Sequence, residues 1–292
     1  SLFTRLASHL GTRCLPNAGH GRACAKMLAV PLAHLAAGDG VAPEARSADE
    51  VRQASKLASK AYATKIVGWD KIFERDLARR VRRFGEHVHA PVLCVGARLG
   101  AEVRAFRQFA PGTLAIGTDF APGERNPWVL WGDAHKLEFE AGSFGTVYTN
   151  VLDHIRDPAQ FAREAHRVLW PQGTLWIDMD QHAADKFANH DLRRQRHQIL
   201  TNITAARFEV VMEAVLLKSC DDAYKRGMAK PGRGRVGDWK PFGPDATLQC
   251  IELEEKDTHP YGKFVYILER RGGGPGGNHT GARRRHHVAR AD

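Results

Sequence analysis

The chain has 292 residues, of which 43% are apolar and 26% are charged, a composition that predicts a globular protein with a packed core. Its longest apolar stretch, residues 27–37, is too short to cross a bilayer, which excludes a membrane-spanning helix and predicts a soluble protein. The formal net charge is +10, but residues 1–38 supply +4 of it and residues 272–292 supply +3, so the basicity is mainly a property of the ends and is a poor indicator of a nucleic-acid partner.

The two ends of the chain differ in composition from its middle. Residues 1–46 are predicted to be a basic, disordered extension. Their acid-free first part is rich in Ala, Leu and His, which is typical of an organellar transit peptide, although an ordinary disordered extension explains it equally well. Residues 272–292, rich in Gly, Arg and His, are predicted to be a disordered tail. The folded domain is therefore predicted to span residues 47–271.

The cysteines give a prediction about the compartment. There are five, an odd number, and they show no metal-type pairing: Cys14, Cys24, Cys94, Cys220 and Cys250. We therefore expect free thiols in an intracellular, reducing compartment, with a mitochondrial or plastid location left open.

The domain is predicted to begin with helices and to continue as alternating strands and helices. Residues 75–84 place Leu77, Val81 and Phe84 on one helix face and most of their arginines on the other, which predicts a solvated basic face. From Pro91 to Asp180 the spacing is that of βαβ units and predicts a parallel sheet. Strands are expected at 92–95, up to 119, up to 133, and at 146–150, 174–179, 208–217 and 263–268, with a helix over 183–205.

The helix after the fourth strand has a well-marked start. Asp157 is predicted to cap it, Pro158 suits its first turn, and Gln160 completes a capping box.

Small and acidic residues follow the strands at their carboxyl ends, where open α/β sheets bind ligands. Gly96 and Gly100 flank a strand-to-helix turn whose backbone could receive an anionic group. Asp119 could accept hydrogen bonds from both hydroxyls of a ribose, and Phe120 could pack on an adenine. Asp133 could accept from an exocyclic amine of the base. Taken singly, each has a purely structural alternative, such as an unliganded turn or a helix cap.

A nicotinamide or flavin site is a poor match. The motif G-x-G-x-x-G would need glycines at the positions of Gly96, Arg98 and Ala101, and two of the three are missing.

In this order the segments resemble the core of the class I S-adenosylmethionine-dependent methyltransferases, in particular the type-11 methyltransferase domain. The resemblance is carried by five segments in register: Val92 to Gly100, Ile116 to Asp119, Gly132 to Ala134, Ser143 to His154, and Arg167 to Gly173.

The resemblance implies a Rossmann-like, seven-stranded, mostly parallel sheet with helices on both faces and a terminal antiparallel strand pair. It also implies S-adenosyl-L-methionine as cofactor. The segment Gly96, Ala97, Arg98 and Gly100 would hold its methionine part, Asp119 with Phe120 its ribose, and Asp133 with Ala134 its adenine. Asn150, at the end of the fourth strand, is also expected to bind the cofactor.

Four positions depart from the family pattern. The family usually has an acid at Cys94, a glycine at Arg98, an aspartate at Gly145 and a glycine at Gln172. Since Arg98 brings a side chain to a place where bare backbone normally meets the cofactor, a catalytically inactive binding or assembly protein is the alternative to an active methyltransferase.

The sequence leaves the acceptor open. Asp153 and His154 are candidate catalytic residues, because a base is needed if the acceptor is a hydroxyl or a protonated amine. No cluster of His or Cys with ligand spacing indicates a metal. The late insertion 225–240 carries a local charge of +5, which favours an acidic or phosphate-bearing acceptor, RNA included, although a solvated loop explains it equally well.

Overall fold

The computed structural model describes residues 60–109, 113–122, 126–180, 188–217, 242, 249–252 and 263–272. Its helices are α1 (Lys60–Arg83), α2 (Ala101–Phe109), α3 (Pro158–Val168) and α4 (Leu192–Thr204), with a short 3-10 helix at Gly85–His87. Its strands are β1 (Val92–Val95), β2 (Ala115–Asp119), β3 (Val129–Trp131), β4 (Phe144–Thr149), β5 (Leu169–Asp180), β6 (Phe208–Leu217), β7 (Gln249–Glu252) and β8 (Lys263–Arg270). The basic insertion 225–240, residues 1–46 and the tail beyond Gly272 lie outside the described residues, so the expectations about them stay predictions.

The eight strands form one sheet in the order β3-β2-β1-β4-β5-β8-β6-β7. The five strands β3, β2, β1, β4 and β5 are parallel to one another, whereas β8 is antiparallel to both β5 and β6. This confirms the predicted fold class. The sheet has one strand more than the expected seven, because β7 pairs parallel to β6 at the edge.

The sheet has helices on both faces because its central strands are apolar on both sides. All four residues of β1 are buried, as a strand in the middle of a parallel sheet requires. One face packs against α1 and α2 and includes Leu77, Phe106 and Trp176. The other face packs against α3 and α4 and includes Phe161 and Ile199. Because β1 to β5 are parallel, their carboxyl ends meet along one edge of the sheet.

Helix α1 is attached to the sheet by a buried ion pair. Arg80 is only 7% exposed, and its Nη2 lies 2.8 Å from Oδ2 of Asp178 in β5. The same carboxylate accepts hydrogen bonds from the hydroxyl of Tyr148 (2.7 Å) and from Nε1 of Trp176 (2.9 Å). Burial alone lowers the pKa of Arg80, but Asp178, with smaller contributions from Tyr148 and Asp76, outweighs that effect and raises the pKa above its ordinary value. The predicted solvated face is therefore wrong for Arg80.

The start of α3 agrees with its sequence signals in one respect and differs in another. The side chain of Asp157 accepts from the N–H of Gln160 at 2.9 Å, which confirms the cap. The capping box is wrong, because Gln160 Nε2 donates to the carbonyl of His135 at 3.0 Å. The N–H of Asp157, which the box would have used, donates to Nε2 of His135 instead.

Two cysteines fall within the described residues and behave differently. Cys94 is a buried free thiol whose pKa is raised well above the ordinary value by burial. Cys250 is disulfide-bonded, so the expectation of free thiols is wrong for Cys250. Across the parts of the chain that the structure describes, every helix is too short or too polar to cross a membrane.

Candidate functional site

An open cleft lies at the carboxyl ends of β1, β2, β3 and β4. The space within it, open solvent included, amounts to about 560 Å³. Its lining residues are Val95, Gly96, Arg98, Thr118, Asp119, Phe120, Gly132, Ala134, His135, Val151, His154 and Ile155.

The floor of the cleft is the turn between β1 and α2. Gly96 and Gly100 have φ angles of +83° and +85°, which residues with a side chain rarely adopt. A Cβ on Gly96 would also lie 2.2 Å from Cγ2 of Val151, in the loop after β4. Glycine is therefore required at Gly96 twice, for its backbone angle and for the close approach of that loop.

Arg98 adopts the conformation in which the sequence pattern expects a glycine. Its φ is +33°, inside the left-handed region. Its N–H donates to Oδ2 of Asp119 at 3.0 Å, while the N–H of Ala121 donates to Oδ1 at 2.8 Å. Each carboxylate oxygen of Asp119 has accepted one hydrogen bond, so each retains one acceptor position for a ligand.

Thr118, the residue before Asp119, places a polar atom without a protein partner at the cleft. Its side chain is buried, and Oγ1 makes no hydrogen bond within the protein. A buried hydroxyl without a partner costs free energy unless something else bonds it. Since Thr118 lines the cleft, a bound ligand is the partner that this hydroxyl can find there. The adjacent Phe120 contributes a partly buried aromatic ring to the same lining.

The acid after β3 is turned towards a histidine. Asp133 is not among the lining residues of the cleft, whereas Ala134 and His135 are. Oδ1 of Asp133 accepts from the N–H of His135 at 2.8 Å and lies 2.7 Å from its Nδ1. The ring of His135 is thereby held at the end of the cleft beside Ala134 and Ile155.

The comparison with known families adds to this geometry. Residues 93–177 match the family model described as a methyltransferase domain. That segment runs from β1 into β5 and contains every lining residue of the cleft. The resemblance predicted from the sequence is confirmed.

The chain is also similar to solved structures, at low identity. The chain is 18% identical to Haemonchus contortus phosphoethanolamine N-methyltransferase 2 in complex with phosphomonomethylethanolamine and S-adenosylhomocysteine, with a TM-score of 0.45 over 75% of this chain and 60% of that one. It is 17% identical to the 4+2 cyclase SpnF, with a TM-score of 0.42 over 67% and 81%. It is 13% identical to an S-adenosylmethionine-dependent methyltransferase from Mesorhizobium loti, with a TM-score of 0.39 over 63% and 93%. No curated protein matches the chain.

The loop after β4 closes one side of the cleft and carries both predicted catalytic residues. His154 lines the cleft, whereas Asp153 is buried beneath it, with Oδ2 3.5 Å from Nε2 of His154. The segment before α4 fixes this loop: the N–H groups of Asn189 and His190 donate to the carbonyl of Asp153 at 2.7 and 3.1 Å. Nδ2 of Asn189 also donates to the carbonyl of His154 at 2.7 Å. The backbone that presents His154 is therefore held by hydrogen bonds on both sides of the residue.

Three other predicted cofactor residues do not line the cleft. Ala97 and Gly100 are buried in the turn between β1 and α2. Asn150, at the end of β4, is partly buried, and its Oδ1 is buried without a hydrogen-bond partner.

Sequence reasoning missed six lining residues. These are Val95, Thr118, Gly132, His135, Val151 and Ile155. The spacing Asp133-Ala134-His135 was an available signal, because an aspartate commonly bonds the N–H two residues later. The others are apolar or small and have no distinctive pattern.

Proposed function

We propose that the chain is an S-adenosyl-L-methionine-dependent methyltransferase. The observation that carries this proposal is the open cleft formed by the glycine turn and the Asp119 carboxylate within a matched methyltransferase domain. A closed cleft would have favoured the alternative of a binding protein that has lost the cofactor.

The chemistry of the lining residues fits this cofactor. Asp119 retains two acceptor positions, the number that the two hydroxyls of a ribose need. Thr118 has a buried hydroxyl that lacks a protein partner. The turn from Gly96 to Gly100 leaves backbone rather than bulky side chains beneath the methionine part, with Arg98 as the exception. Ala134, Phe120 and Ile155 supply an apolar surface for a base.

In the proposed reaction the protein mainly aligns and desolvates the reactants. The bound cofactor supplies a methyl group on a sulfonium, whose departure leaves a neutral thioether. Since that leaving group is already good, most of the acceleration has to come from alignment and exclusion of water. The hydrogen-bonded loop of Asp153 and His154 forms the wall at which an acceptor would lie. His154 is the candidate base if the acceptor is a hydroxyl or a protonated amine.

The acceptor is proposed to be acidic or phosphate-bearing, on the charge of the insertion 225–240. Replacing Arg233 and Arg235 with Ala should then weaken acceptor binding and its salt dependence while leaving cofactor affinity unchanged. An equal loss for both ligands would contradict this proposal.

Calorimetric titration with S-adenosylmethionine and S-adenosylhomocysteine tests the function directly. Asp119→Ala should weaken binding roughly five- to 150-fold, because the ligand hydroxyls lose their acceptors. Glu140→Ala, which removes an exposed carboxylate outside the cleft, is the control and should leave the affinity within about twofold. Absence of binding by the wild type at millimolar concentration would refute the proposal. Binding without turnover on any acceptor would favour the inactive binding protein.

A further inference from the structure

The imidazole of His135 is held by a hydrogen bond at each nitrogen. Nδ1 lies 2.7 Å from Oδ1 of Asp133, and Nε2 lies 3.1 Å from the backbone N of Asp157. Because a backbone N–H can only donate, Nε2 is the acceptor of that bond. The proton therefore sits on Nδ1 and is donated to Asp133. Both nitrogens are used, so the ring offers carbon atoms to the cleft.

Asp133 accepts the hydrogen bonds of His135 in its ionised, carboxylate form. Partial burial by itself raises its pKa, but the hydrogen bonds from the ring and the N–H of His135 outweigh it, and the pKa lies below the ordinary value. The carbonyl of His135 is in turn bonded by Gln160. The end of the cleft is thus tied to the first turn of α3 through one histidine.

We propose that Asp133 is a positioning residue that fixes the ring of His135, and that this ring, rather than the Asp133 carboxylate, contacts the base of the bound nucleoside. The inference rests on the proposed function. It differs from the expectation drawn from the family, in which the acid meets the base directly. The base then lies against apolar and aromatic surface supplied by His135, Phe120, Ala134 and Ile155, where ring contacts add to the burial of area.

The binding test is a set of variants titrated with S-adenosylhomocysteine. His135→Ala should weaken binding about tenfold and Asp133→Ala about fivefold, through loss of the ring or of its orientation. The double variant should bind no more than about twofold more weakly than His135→Ala, because residues that act through one another are not additive. Asp133→Asn should stay within about threefold of the wild type, since its amide oxygen still accepts from Nδ1.

His135→Phe is a second variant that tests the same role if His135→Ala does not fold. Its ring can still contact the base but cannot bond Asp133, so adding Asp133→Ala should change its affinity less than about twofold. Circular dichroism of each variant verifies that it is folded.

A ligand change and a spectrum separate this role from direct contact and from a purely structural one. An analogue of S-adenosylhomocysteine with hypoxanthine in place of adenine lacks the exocyclic amine, and Asp133→Ala should weaken its binding as much as that of the parent.

Nitrogen NMR of the His135 ring should show a proton on Nδ1, and Asp133→Ala should shift it towards Nε2. Adding S-adenosylhomocysteine should move the Cε1–H signal of His135 by the ring current of the base.

Three results would overturn the inference alone. These are fully multiplicative losses in the Asp133→Ala, His135→Ala double variant, a loss in Asp133→Ala that disappears with the hypoxanthine analogue, or a His135 signal that the ligand leaves in place. Absence of S-adenosylhomocysteine binding by the wild type would instead refute the proposed function and this inference with it.

Discussion

Glu102 offers a test of the fold that does not depend on any ligand. It lies in the first turn of α2 and is only 7% exposed. Burial raises its pKa from 4.5 to about 8, with smaller contributions from the negative charges of Asp70 and Asp119, while a hydrogen bond from its own N–H and the charge of Arg98 oppose the rise. At neutral pH the folded protein therefore holds a proton that the unfolded chain has released.

The sign of the pH dependence follows from these two pKa values. Between pH 4.5 and about 8 the folded state binds more protons than the unfolded state, so the free energy of unfolding falls as the pH rises. The gap of about 3.5 pH units sets an upper limit of about 5 kcal/mol on the loss of unfolding free energy, and we expect a loss of about 3–5 kcal/mol. Above about pH 9 both states are ionised, and the contribution of Glu102 stops changing.

Glu102→Gln replaces the carboxyl group with a neutral group of the same shape. Its free energy of unfolding should lie within about 1 kcal/mol of the wild type at pH 5, and it should exceed the wild type by about 3–5 kcal/mol at pH 9. Urea denaturation at intervals between these values measures the difference, in which the contributions of the histidines cancel. Glu140→Gln, at an exposed position, is the matched control and should leave a difference of less than about 0.5 kcal/mol throughout. A difference between Glu102→Gln and the wild type that stays constant from pH 5 to pH 9 would refute the buried, neutral carboxyl.

Three further substitutions test the cleft and the core. Gly96→Ala should destabilise the protein by about 3 kcal/mol or more and abolish S-adenosylhomocysteine binding, because its Cβ would meet Val151. The control Gly85→Ala, which has open space around it, should change the free energy of unfolding by less than about 1 kcal/mol, and equal losses in the two variants would contradict the geometry of the turn. Thr118→Val should keep or raise the melting temperature and weaken binding about threefold to tenfold by calorimetry, because it removes a hydroxyl that has no partner within the protein. A lower melting temperature with unchanged affinity would mean that the hydroxyl serves the fold. Asp178→Asn should lower the free energy of unfolding, measured by urea denaturation, by about 3–5 kcal/mol, because it leaves the Arg80 charge buried without its carboxylate partner. A loss below about 1 kcal/mol would show that the pair is not buried in solution.

Local patterns were sufficient for the elements whose residues report their own environment. The apolar run of β1 predicts a strand buried on both faces, and the structure has all four of its residues buried. Asp157 followed by Pro158 predicts the start of α3, because a cap is a bond between residues three apart. Gly96, Asp119 and Phe120 are brought to one cleft because parallel strands end at the same edge of the sheet.

Long-range pairing decided what the patterns left open. The arginines of α1 have the same local sequence character, yet Arg80 is buried because its partner, Asp178, lies on a strand almost a hundred residues away. No strand is predicted from the sequence at β7, which is defined by its pairing with β6.

At the cleft itself, the sequence determined the turn and the acids, whereas the tertiary structure decided where those acids point. Which residues follow a strand is a property of chain order and was available from the start. Whether a carboxylate faces the cleft depends on which donors surround it: Asp119 is bonded by the backbone N–H groups of Arg98 and Ala121 and remains at the cleft, while Asp133 is turned away by the ring of His135. The position of that ring depends in turn on the start of α3, which only the packed fold brings within hydrogen-bonding distance.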